Sequence, residues 1–144
     1  MFIIDGVTFE LADFEKSSTA SKNRIGNKLQ GNDIADYEFL MDIIVKIQAK
    51  FGKPIYVDSG FRSKALNKAV GGVWNSQHRS LGNDAAADIT TRNQIDNRQL
   101  YEVIRIMVLT NEIVLDQIID EKNYKWIHIS AKRTGINRKQ FLKL

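Results

Sequence analysis

The sequence predicts an α+β fold, a small antiparallel sheet flanked by helices, and three observations carry that expectation. Helical and extended segments are mixed along the chain rather than strictly alternating. Residues 33–51 and 96–110 repeat their apolar side chains at helical spacing. Residues 113–120 and 124–130 are β-rich runs separated by a short turn at 121–123, the pattern of a hairpin. The chain has 144 residues, 43% of them hydrophobic, which suits one domain spanning 1–144 with its own core.

Residues 2–14 read as a short extended start. Residues 17–32 are rich in Ser, Lys, Asn and Gly and read as a loop arm. The helix over 33–51 has Asp33 as its expected N-cap, Gly52 at the C-cap position and Pro54 to block continuation. IYVD at 55–58 reads as a strand, SGFRS as a turn, and KALNKAVGG as a short helix ending at Gly71 and Gly72. Residues 73–84 read as loop, and AAADITT as a buried strand built on small residues. The second long helix presents Leu100, Val103, Ile104, Met107 and Val108 to the core. The basic tail 131–144 is expected to be irregular, with RKQFLKL as a last short helix.

The composition removes several function classes. There are no cysteines, so disulfides and thiolate metal sites are excluded. Any metal must be held by His, Asp and Glu, and the chain has two histidines. A formal net charge of +4 is compatible with an anionic partner, or simply with solubility. Lys and Arg are spread along the chain, and no aromatic–basic interleaving occurs, so no nucleic-acid partner is expected. No apolar run approaches the roughly 18–20 residues of a membrane span, and no membrane partner is expected. The acidic start lacks the basic and apolar regions of a secretory signal, so a soluble cytoplasmic product is expected.

His78 lies in a polar loop, and His128 lies in the strand-like WIHIS. Alternation puts Ile127 and Ile129 on one face of that strand, leaving His128 on the face that can line a cleft. Asp88 ends a run of small residues in AAADI, a way of presenting a carboxylate from a sheet. Two His and one Asp would leave a fourth corner open on tetrahedral zinc. On spacing alone, these three can equally be ordinary hydrogen-bonded residues.

The ordered blocks SGFRSKALNKAVGGVWNSQH, AAADI and DQIIDEKNYKWIHIS resemble the zinc D-alanyl-D-alanine carboxypeptidase and L-alanyl-D-glutamate endopeptidase family. FELADFEKSSTA and KFGKPI are similar to its phage and prophage branch, and the resemblance covers about residues 8–130. It implies a fold shared with the hedgehog signalling domain. It implies one zinc ion on His78, Asp88 and His128, with Arg62 binding substrate and stabilising the oxyanion. It also implies a peptidoglycan stem peptide as substrate, with cleavage by carboxypeptidase or endopeptidase action. Such a chain would act as a monomer on the wall, after release from the cell or as a phage-associated protein.

Two departures from the family pattern stand out. Asp88 follows His78 by ten residues where seven is usual, as if RSLGNDAAADI held three extra residues; Asp84 is the fallback ligand. The family's frequent acid/base position, three residues before the last His, is Lys125. The branch resembled places a Glu at the close of the preceding block, which points to Glu121 as the general base, with Asp120 as the alternative. Glu121 is otherwise a solvated turn residue and Arg62 a surface turn arginine. Ser76 and Gln77, just ahead of His78, are candidates to touch substrate or brace the ligand. The lengthened loop and Lys125 also motivate a second reading, a zinc-stabilised wall-binding module without catalysis.

Overall fold

The computed structural model describes residues 9–144, so the part of the expected extended start at 2–8 lies outside the described residues. The remainder of that start is no strand: Leu11–Phe14 forms a 3₁₀ turn. The arm over 17–32 is partly helical, with α1 at Ser18–Lys22 begun by the Ser17 hydroxyl, which accepts from Ala20 N at 3.1 Å.

Helix α2 spans Asn32–Phe51. Tyr37, Leu40, Ile44 and Ile47 fall on one stripe and are fully buried. Gly52 ends it in the left-handed conformation at φ 82°. The expected cap is corrected: Gly31 occupies the N-cap, and the Asp33 carboxylate instead accepts from Gln30 N at 3.3 Å. Strand β1 is Tyr56–Ser59, α3 is Lys64–Ala69, β2 is Asp84–Thr90 and α4 is Gln94–Leu109. Strands β3, Gln117–Glu121, and β4, Trp126–Lys132, form the expected hairpin. Its turn is displaced to residues 122–125, and 113–116 stays outside the strand.

Two expectations about the sheet need correction. The tail contributes a strand, β5 at Gln140–Lys143, rather than a helix. It pairs parallel with β3, so the five-stranded sheet, ordered β1-β2-β4-β3-β5, is mixed rather than wholly antiparallel. Four residues, preceded by one lysine and ending in another, carry too little pattern to reveal this; pairing to β3 makes the strand.

Helices α2 and α4 cover one face of the sheet, packing on Ala85, Ala87, Ile89, Ile118, Ile127 and Ile129. Alternation therefore sends Asp84, Ala86, Asp88, His128, Ser130, Ile119 and Glu121 to the opposite face. In β1 the register slips between Val57 and Ser59, so Asp58 is an inserted residue and Ser59 stands opposite Asp88. Among the described residues, no helix is long and apolar enough to cross a membrane.

Candidate metal centre

Asp88 and His128 are direct cross-strand partners of β2 and β4, so their side chains leave the same face side by side. His128 Nδ1 lies 3.1 Å from Asp88 Oδ1. His78 enters from a 3₁₀ turn, Gln77–Arg79, and places Nε2 3.6 Å from the same oxygen. Its Nδ1 is 2.6 Å from Gly60 O. A carbonyl only accepts, so the proton sits on Nδ1 and the Nε2 lone pair faces Asp88. One ligand atom from each of the three residues lies within 4.8 Å of the others.

These separations test the fit of an ion. Donors about 2.0–2.2 Å from a tetrahedral zinc stand about 3.4 Å from one another. The observed 3.1 and 3.6 Å bracket that value. Two imidazole nitrogens and one carboxylate oxygen suit zinc better than calcium or magnesium, which demand more oxygens. The protonation states agree. Burial pushes the Asp88 carboxyl up, but the hydrogen bond with His128 and the neighbouring His78 imidazole outweigh it and hold it well below the usual carboxylate range. Burial lowers the His78 imidazole against the opposing pull of Asp88, which favours the neutral ring a metal requires.

The turn after β1 supplies a cation beside these donors. Arg62 N donates to His78 O at 2.8 Å, tying the two segments together. Arg62 Nη1 donates to Asn67 Oδ1 at 3.2 Å, while its buried Nε has no partner among the described residues. Burial lowers the guanidinium's pKa, and Asp88 opposes that shift. Gly72 makes this seat: a Cβ there would overlap Asn67 Oδ1 and lie 2.7 Å from Arg62 Nη1. Gly60 is equally constrained, since a Cβ would meet Phe14 O at 2.7 Å. A cleft of about 310 Å³ opens here, lined by Lys16, Ser17, Asp58, Arg62, Val70 and Asp88.

Glu121 ends β3 on the same face as His128, opposite Trp126 and two residues beyond Ile119, the cross-strand partner of His128. Burial raises its carboxyl, and the negative charge of Asp88 raises it further. Asp120 points to the other face, where it accepts from Tyr124 N at 2.6 Å and closes the hairpin turn. Lys125 is exposed in that turn. Asp84 stands opposite Lys132, accepts from Gln77 Nε2 at 3.3 Å, and is not part of the His–Asp–His group. A further 3₁₀ turn, Leu81–Asn83, takes up the longer spacing between His78 and Asp88.

Ser76 and Gln77 are both engaged in holding the His78 turn. Ser76 Oγ accepts from His78 N at 3.2 Å, and Gln77 Nε2 donates to Asp116 Oδ2 at 2.8 Å. Two further residues, not singled out from the sequence, position the centre. The Tyr37 hydroxyl donates to Ala86 O at 2.9 Å and lies 3.3 Å from His78 O, joining α2, β2 and the ligand turn. A tyrosine on an otherwise apolar helical stripe was the available signal, because a buried hydroxyl needs a partner. Asn27 Nδ2 donates to Glu15 O and Phe61 O, each at 2.9 Å, and its Oδ1 accepts from Ser63 N at 2.7 Å, fastening the arm to the Arg62 turn.

A mixed sheet with helices on one face and a His–Asp–His group on the other, beside a cleft lined by charges of both signs, has the features of a metal-dependent hydrolase. The chain belongs to the Peptidase M15 family, which matches residues 7–130 and whose members are zinc-dependent peptidases. No match is found among curated proteins.

Proposed function

We propose that the protein is a zinc peptidase that hydrolyses an amide bond of the peptidoglycan stem peptide, with His78, Asp88 and His128 holding one zinc ion. The observation that carries this reading is the convergence of His128 Nδ1 and His78 Nε2 on one Asp88 oxygen, at 3.1 and 3.6 Å. Zinc held there would lower the pKa of water toward about 7 and polarise a carbonyl. The Arg62 guanidinium, permanently charged and with its Nε unpartnered among the described residues, would donate to the oxyanion that forms on the scissile carbonyl. Glu121 would take the proton from the attacking water and return it to the leaving amine. Lys16 and Arg62 with Asp58 give the cleft both signs of charge, which suits a stem peptide bearing carboxylate and ammonium groups. The reading takes residues 1–144 as one monomeric domain that acts on the wall.

The test is digestion of purified peptidoglycan, with the products read by mass spectrometry. Cleavage is expected, lost on chelation, restored by zinc and abolished in His128→Ala; the mass of the fragments identifies the bond. Wall fragments bound without turnover, and unaffected by Glu121→Gln, would replace this reading with a non-catalytic binding module.

A further inference from the structure

The turn that carries His78 is held at both ends by buried carboxylates, and each carboxylate is completed by an arginine from the tail. On one side, Gln77 Nε2 donates to Asp116 Oδ2 at 2.8 Å. Asp116 is fully buried, and Arg138 grips it through Nη2 at 2.7 Å and Nε at 3.0 Å. On the other side, Ser80 Oγ donates to Asp36 Oδ2 at 2.6 Å. Asp36 is also buried, and Arg133 Nε reaches its other oxygen at 2.7 Å. Arg133 Nη2 continues to Asn83 Oδ1 at 3.2 Å, and Arg133 N to Asn83 O at 3.0 Å, on the same His78–Asp88 loop. Both arginines lie beyond residue 130, where the family match stops.

We propose that Arg133 and Arg138 are positioning residues for the metal ligand His78. They act through Asp36 and Asp116 on the two ends of the turn, so the tail completes the centre without touching it. A buried carboxylate without a cation is strongly disfavoured, and it would protonate or turn out toward water. Ser80 would then lose its acceptor, or Gln77 the closer of its two, Asp84 being the other, and the turn one of its two carboxylate anchors. Arginine suits the task because its planar fork can hold a carboxylate through two hydrogen bonds, as Arg138 does. The part of this inference that concerns zinc rests on the proposed metal site; the bracing of the turn does not.

The test compares Arg138→Ala, Arg138→Lys and Arg133→Ala with Phe141→Ala in the full chain. Phe141 packs on Tyr101 from β5 and touches neither carboxylate, so its variant weakens the tail without cutting a brace. Two quantities are read: amide hydrogen exchange over residues 77–84 in metal-free protein, and zinc affinity by chelator competition. In both alanine variants, exchange in this loop should rise about tenfold or more relative to α4. Zinc affinity should fall about 10–100-fold, the usual cost of losing a group that supports a ligand. Arg138→Lys should fall in between, and Phe141→Ala should lower the melting temperature while leaving loop and affinity near wild type. Unchanged loop exchange in both arginine variants overturns the proposal. So does a Phe141→Ala protein that loosens the loop and loses zinc to the same degree. If the wild-type protein holds no zinc, the peptidase reading fails by itself, and the exchange measurement still decides whether the tail braces the turn.

Discussion

Arg62 reaches its place because Gly72 and Asn67 leave room for it and hold it there. Arg62→Ala is expected to lower kcat by about 10²–10³ while zinc stays bound, as for the loss of one oxyanion donor. Steady-state kinetics beside a metal assay check this; an unchanged kcat would remove Arg62 from the chemistry. Gly72→Ala should produce a milder version of the same defect, since the added methyl must displace Asn67 or the guanidinium. Glu121→Gln should abolish turnover yet retain zinc, because the amide cannot accept the proton and the residue is not among the three donors. At this scale the sequence was informative where chemistry is concentrated. With only two histidines and no cysteine, few metal arrangements were open. Tyr37 and Asn27 escaped notice because their roles are hydrogen bonds to backbone groups 12–49 residues away, which no local pattern encodes.

Between elements, hydrogen bonds to buried backbone decide how the strands and the ligand turn meet. Beyond Ser59, β1 no longer pairs with β2, and the Tyr37 hydroxyl serves both Ala86 O and Ala86 N. Tyr37→Phe would leave these groups buried without a partner, and a loss of about 1–3 kcal/mol in urea denaturation is expected. The seam between β3 and the tail should be sensitive to acid. Burial raises the Asp116 carboxyl, but hydrogen bonds from Arg138 outweigh it and hold it at about 2. An unfolded chain has this group near 3.9. The folded form is therefore favoured by Asp116 above about pH 4, and that contribution fades as pH falls toward 2. Denaturation midpoints followed from pH 5 to 2 should fall less steeply in Asp116→Asn, which starts from lower stability. Long elements were legible in the sequence because α2, α4 and the β3–β4 hairpin repeat their pattern over several turns or pairs. The arm and β5 were not. Helix α1 is five residues begun by one serine, and β5 is four residues that become a strand only beside β3.

Across the whole molecule, the three proposed ligands come from segments separated by up to 50 residues and meet on the sheet face opposite α2 and α4. An ion bound only in the folded state should stabilise it by mass action, about 2.7 kcal/mol at a hundredfold excess over Kd. The melting temperature should therefore rise with zinc and fall with chelator in the wild type, and stay unmoved in Asp88→Ala. Ile129, fully buried between the strands and helices, gauges the core alone. Ile129→Ala should cost about 2–5 kcal/mol with or without metal. The α+β class was readable because helices and strands are interspersed and end in a hairpin; the parallel pairing of β5 depends on distant partners and was not. That pairing has a consequence for synthesis on the ribosome. Until residues 138–143 have emerged, β3 presents a bare edge of unpaired amides and carbonyls, and such edges recruit other nascent chains. A stall or premature stop near residue 135 would release a polypeptide holding every proposed metal ligand yet prone to aggregate, so inclusion-body formation should fall sharply once Lys143 is included.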